Sequence, residues 1–273
     1  MKTTMEVKSE KDHEMPVQDQ QESHGAEMTF YAHFKELRSR LLRCVVGVVV
    51  GMMACFSFSP AIYGFLARPV YSALPEEARN LIFLNPVEPF FVYLKISLLT
   101  GFIVASPYIF FQIWRFIAPG LYANEKRALI PMVLASTLVF IGGAVFCYVV
   151  VLPLGLETLI GAGTTDEFAA VAQISMASYY DLVIRLIAAF GIVFEMPIFS
   201  MFLTKLGVIT HQTLIKHWRV AVIAIFVLAA LLTPPDVLTQ ITLALPMCLL
   251  YGVSIGLSRL VENKTPAGDG GAG

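Results

Sequence analysis

The chain has 273 residues, of which 57% are hydrophobic and 14% charged, with a formal net charge of −1. An ordinary soluble domain carries about 25% charged residues. The mean hydropathy of +0.72 points to the same reading, one membrane-embedded domain. A near-neutral chain lacks the basic stripe that neutralises nucleic-acid phosphates, so nucleic acid is excluded as a partner.

Residues 1–28 form a polar tail rich in Lys, Glu, Asp and Gln. It has no apolar core of a cleavable signal, so it is expected to stay disordered in the cytoplasm. From Thr29 the period becomes helical. Phe30, Phe34, Leu37 and Leu41 make one apolar stripe, with Thr29 as a possible cap. This is an interfacial helix, and in it Glu36 can pair with Arg40 one turn on, as a simple anchor would.

Apolar runs long enough to cross lipid as helices follow at about Leu41–Leu66, Phe90–Trp114, Ala128–Leu154 and Tyr179–Leu203. A last run, Val220 to Leu257, is broken by Thr233-Pro234-Pro235-Asp236. Two prolines remove two backbone donors and Asp236 can cap a new helix, so the run reads as two spans joined by a tight turn. Pro69 is read as a further turn, after span one. The expected fold is all-α, an integral membrane bundle of six transmembrane helices. The membrane domain covers 29–260, and a flexible cytoplasmic tail covers 261–273. Span five is short, covering roughly 20 Å against roughly 30 Å of hydrocarbon.

Lys and Arg set the orientation. One side holds only Arg68 and Arg79, and the other holds twelve such residues, from Lys35 to Lys264. Both termini are therefore expected in the cytoplasm. Trp114 and Trp218 fall at the same cytoplasmic boundary, as an aromatic belt requires. Glu36 and Glu125 share that face, each in a basic stretch beside a span. Two carboxylates on one face can converge on a cationic ligand. Taken alone, Glu125 also suits the N-terminus of span three as a helix cap.

Inside the spans lie Lys95, Arg185 and Glu195. The first two are close enough to the outer interface to snorkel. Glu195 is too deep for that. Arg185, ten residues away on the same helix, is about 15 Å along the axis and roughly 80° around it. Glu195 must then be neutral, or meet water or a partner from elsewhere. Pro107, Pro197 and Pro246 mark kinks, and Gly47 and Gly51 form a G-x-x-x-G helix-packing pair. The four cysteines sit in apolar runs without metal spacing, so no metal and no cofactor are expected.

The run His33-Phe34-Lys35-Glu36-Leu37-Arg38-Ser39-Arg40 resembles the TatC family, the multispanning subunit of the twin-arginine protein translocase. So do Phe116-Ile117-Ala118-Pro119-Gly120-Leu121-Tyr122-Ala123-Asn124-Glu125, the stretch Ala189–Pro197, and Leu232-Thr233-Pro234-Pro235-Asp236-Val237. The resemblance covers about Thr29 to Arg259, in family order. It implies a concave bundle in the bacterial inner membrane. It also implies that Glu36 and Glu125 receive the paired arginines of a folded substrate's signal peptide, with Phe116 as an apolar or cation–π wall. Arg38 and Arg40 would position Glu36, and Leu121 and Tyr122 would press the loop onto the membrane. Glu195 would dock single-span TatA/TatB-type subunits. Signal peptides, further copies of the chain and membrane lipids complete the implied partners.

A competing function is a small ion-coupled secondary transporter, with Lys95, Arg185 and Glu195 as an ion path. Such carriers usually repeat their halves, and spans one to three do not resemble spans four to six. No hydrolase, metalloprotease or nucleotide-binding motif is present, so the chain reads as no enzyme, and transport energy must come from the membrane gradient or a partner.

Overall fold

The computed structural model describes residues 17–74, 80–117, 129–163, 173–233 and 237–262. The chain divides into an N-terminal unit ending at Leu42 and a body from Arg43 onward. Among the described residues five helices are long and apolar enough to cross a membrane: His33–Phe56, Glu88–Ile117, Leu129–Gly161, Met176–Lys205 and Val237–Glu262. Trp218–Leu232 is apolar but shorter.

Helix α1 (Val17–Phe56) ends ten residues before the expected end of span one. A turn at Ser57-Phe58 separates it from α2 (Ser59–Ala73), and Pro60 occupies the first turn of α2. Proline suits that position because its missing amide would have had no helical partner there. Pro69, expected as a turn residue, instead lies inside α2 and is buried. The helix runs through it because only one intrahelical bond is lost, near the end of a short helix.

The third helix, α3 (Glu88–Ile117), packs against α4 (Leu129–Phe146). A π turn, Cys147–Val151, then leads into α5 (Leu152–Gly163). The fourth span is broken once, into α6 (Met176–Phe194) and α7 (Met196–Lys205), with Pro197 in the first turn of α7. Short α8 (His211–Lys216) precedes α9 (Trp218–Leu232) and α10 (Val237–Glu262). The last apolar run is thus two helices. Pro234, Pro235 and Asp236 lie outside the described residues. Two side chains bind the hairpin from within: Thr233 Oγ1 donates to the Ala229 carbonyl at 2.9 Å, and Gln240 Nε2 donates to that of Phe226 at 3.0 Å.

Burial explains which faces meet. One core cluster joins α2, α3, α5, α6, α9 and α10 around Val70, Ile96, Leu152, Phe190, Leu243 and Met247. A second gathers Phe110, Trp114, Val133, Phe140, Ile198 and Phe202. Trp114 therefore belongs to the core and not to an interfacial belt. It is 2% exposed, its Nε1 donates to Ser136 Oγ at 3.0 Å, and it stacks on Phe199. Trp218 is exposed. The predicted glycine contact is present. A Cβ on Gly51 would come within 2.6 Å of the Gly101 carbonyl oxygen, so α1 and α3 touch backbone to backbone.

At the end of the bundle that carries α2, two short segments depart from the all-helical expectation. Leu81–Ile82 (β1) pairs in parallel with Ile174–Ser175 (β2). Glu88 ties the same region together. Its Oε1 accepts from the Ala177 amide at 2.6 Å and from Ser175 Oγ at 3.0 Å, and its Oε2 accepts from the Leu84 amide at 2.9 Å. One carboxylate thus caps α6 from a different helix, satisfying an amide that helix geometry leaves open. Nearby, Lys95 Nζ lies 2.6 Å from Asp181 Oδ1. The lysine expected only to snorkel has a carboxylate partner one helix away.

Candidate functional site

Glu36 lies on α1 in the N-terminal unit, half-buried. Arg40 is one helical turn further on, so both side chains share a face. Arg40 donates to Glu36 Oε1 from both Nε, at 2.9 Å, and Nη2, at 2.5 Å. The Glu36 carboxylate is therefore already a guanidinium acceptor. Lys35 and Arg38 are exposed on the same segment. Phe116 is half-buried in the last turn of α3. Glu125, Leu121 and Tyr122 lie outside the described residues.

Glu195 occupies the junction of α6 and α7, where the helix is interrupted for one residue. It is 4% exposed, and among the described residues neither carboxylate oxygen has a hydrogen-bond partner. The Ser136 hydroxyl, which accepts from Trp114, and the Phe140 backbone lie beside it, both outside hydrogen-bond geometry. The carboxylate lines a cavity of about 420 Å³ between α3, α4 and α6–α7, walled by Phe102, Phe110, Phe140, Ile192 and Phe199. Ser106 lines the same cavity, and its hydroxyl is also buried without a partner among the described residues. Two orphaned polar groups thus face one apolar space. Burial without a hydrogen bond is costly, so such groups call for an occupant that can pair with them. The sequence singled out Glu195 but missed Ser106. Its one signal was a hydroxyl next to Pro107 in an otherwise apolar helix.

Among the described residues no group of three or more His, Cys, Asp or Glu side chains is placed to hold a metal. Helices of this length and apolarity, lining a half-open apolar groove with two polar groups in it, define a multi-pass, all-α membrane protein.

The family profile described as "TatC: Sec-independent protein translocase protein (TatC)" matches residues 32–246. The chain belongs to the TatC family and is a translocase component rather than an enzyme. The Sec-independent protein translocase protein TatC of Aquifex aeolicus (strain VF5) is 43% identical over 237 residues, 87% of this chain and 97% of that protein. The corresponding protein of Campylobacter jejuni subsp. jejuni is 41% identical over 235 residues, 86% of this chain and 94% of that protein. A crystal structure of the twin arginine translocase receptor TatC superposes with a TM-score of 0.77 at 44% identity, covering 84% of this chain and 99% of that one. The same receptor crystallised in DDM gives a TM-score of 0.75 at 43% identity, covering 83% and 99%. The expected fold and protein-transport role hold, and the chain works with other components of that translocase.

Proposed function

We propose that this protein is the signal-peptide receptor subunit of the twin-arginine translocase in the bacterial cytoplasmic membrane. In this reading both termini are cytoplasmic, and export is driven by the proton-motive force. The observation that carries the proposal is the Glu36 carboxylate, which accepts two guanidinium donors from Arg40. Guanidinium is planar, permanently charged and forked, so a carboxylate that binds one arginine this way suits another. An incoming signal peptide would exchange with Arg40 or share the carboxylate with it. Its second arginine would need a second acceptor, assigned to Glu125, with Phe116 as an apolar wall and Leu121 and Tyr122 seating the loop. Lysine would bring the charge without the fork. The names of the matched receptor structures support this reading.

Glu195 is proposed as the intramembrane docking point for a single-span TatA/TatB-type subunit. The support is its burial, without a partner among the described residues, beside a cavity that is apolar apart from Ser106. Copies of the chain would assemble around these contacts.

The test is site-specific crosslinking of a twin-arginine signal peptide to membranes containing the protein. Loss of a charge-assisted bidentate contact costs roughly 1.5–3 kcal/mol. Glu36→Ala or Glu125→Ala should each weaken binding on the order of tenfold or more, and added salt should weaken the wild-type complex. Undiminished crosslinking to the double alanine variant would reject the site.

A further inference from the structure

We infer that the Tyr148 hydroxyl replaces the backbone amide that Pro69 removes, and so holds helix α2 against the third span. In an α-helix the amide of residue 69 would bond to the carbonyl of residue 65. Proline has no amide hydrogen, and its ring crowds that same carbonyl. The Phe65 carbonyl is therefore left without its helical donor. Tyr148 supplies one from outside the helix, its hydroxyl donating to Phe65 O at 2.7 Å. The Phe65 and Tyr148 rings also stack, with centroids 4.5 Å apart and an interplanar angle of 18°, so the tyrosine is aimed by its ring as well as by its hydroxyl.

Two prolines produce this contact. Pro69 frees the acceptor. Pro153, in the first turn of α5, cannot donate to the carbonyl of residue 149, and the preceding turn widens to the π form over Cys147–Val151. Tyr148 sits in that widened turn. A second tyrosine provides the comparison. Tyr180 donates to the Tyr63 carbonyl of α2 at 2.8 Å. The helical donor to that carbonyl would be Ala67, which has its amide, so the Tyr180 bond only adds a second donor to an oxygen with two lone pairs. Tyr148 differs in serving a carbonyl that has lost its helical donor.

The experiment is hydrogen exchange of the α2 amides in the purified full-length protein, with the amides of α4 as an internal reference. Tyr148→Phe keeps the stacked ring and deletes the donor. It should speed exchange across α2 on the order of tenfold, since a carbonyl left unpaired on a lipid-facing side has no water to replace the lost donor. In a Pro69→Ala background the amide restored at position 69 can reach the Phe65 carbonyl, and Tyr148→Phe should then change little. Tyr180→Phe should have the same effect in both backgrounds. If Tyr148→Phe acts equally with and without Pro69, the hydroxyl does not stand in for the amide and the assignment is wrong. Should Pro69→Ala fail to fold, the single variant still decides, because unchanged α2 exchange in Tyr148→Phe overturns the assignment.

Discussion

A single carboxylate sets the sharpest balance at the residue scale. Glu195 is 4% exposed and unpartnered. In the isolated chain it is a cost, of about 1–3 kcal/mol for an unsatisfied buried polar group. Replacing it with leucine should therefore raise the thermal midpoint of the purified protein. The same change should abolish export and co-purification of the single-span partner while signal-peptide crosslinking survives. Glu195→Gln keeps shape and hydrogen bonding and should be milder in export. If Gln is as inactive as Leu, ionisation is essential and a proton-linked role replaces simple docking. If Leu lowers the midpoint, the carboxylate has a structural partner and the docking argument fails. Depth alone made Glu195 legible in the sequence. Ser106 was not legible, because a serine in an apolar helix usually bonds to its own backbone, as Ser97 and Thr100 do.

Between elements, the α1–α3 contact depends on two glycines. A Cβ on Gly101 would lie 2.3 Å from the Met52 amide nitrogen, and one on Gly51 would lie 2.6 Å from the Gly101 carbonyl oxygen. Both obstacles are backbone and cannot rotate away. Gly101→Ala should then destabilise by about 1–3 kcal/mol, as overpacking does. Gly142 is the control, because a Cβ there would meet nothing within 4 Å. Gly142→Ala should be neutral or slightly stabilising by helix propensity. Thermal denaturation in detergent separates the two, and equal midpoints would mean that the helices slide to accommodate the methyl. Half of this contact was readable from Gly47 and Gly51, because small residues four apart share one helix face. Gly101 carried the same signal and was overlooked, since Ser97 and Ala105 flank it at four-residue spacing. Composition misplaced Trp114 for a related reason. Its position near a span end fits a belt, and only the neighbouring helices reveal Ser136 and Phe199 closing over it. Pro69 was misread because proline usually ends a helix, and the tyrosine that makes it tolerable lies far away in sequence.

The whole molecule poses a question of parity. Among the described residues five helices have the length to cross a membrane, and α9 does not by length alone. Its 15 residues reach roughly 22 Å, against roughly 30 Å of hydrocarbon. Several features nonetheless favour a crossing. Val220, Ile223, Val227 and Leu231 are exposed along α9 as a lipid-facing side would be, while Ile225 and Ala229 are buried. Exposed Trp218 and Arg219 stand at its start, where an interfacial anchor belongs. Thr233 and Gln240 donate to the Ala229 and Phe226 carbonyls, which suits a short helix in a locally thinned bilayer. If α9 crosses, there are six spans and the chain's two ends share a side. The twelve-to-two division of Lys and Arg makes that side the cytoplasm. A tag after Gly273 should then stay unlabelled by an impermeant reagent in intact spheroplasts, and a cysteine placed at Phe83 should be labelled. Labelling of both would mean that α9 and α10 cross once between them. Basic Lys205, Lys216 and Arg219 would still lie inside, but Arg259 would then lie outside, against the charge rule that orients every other loop.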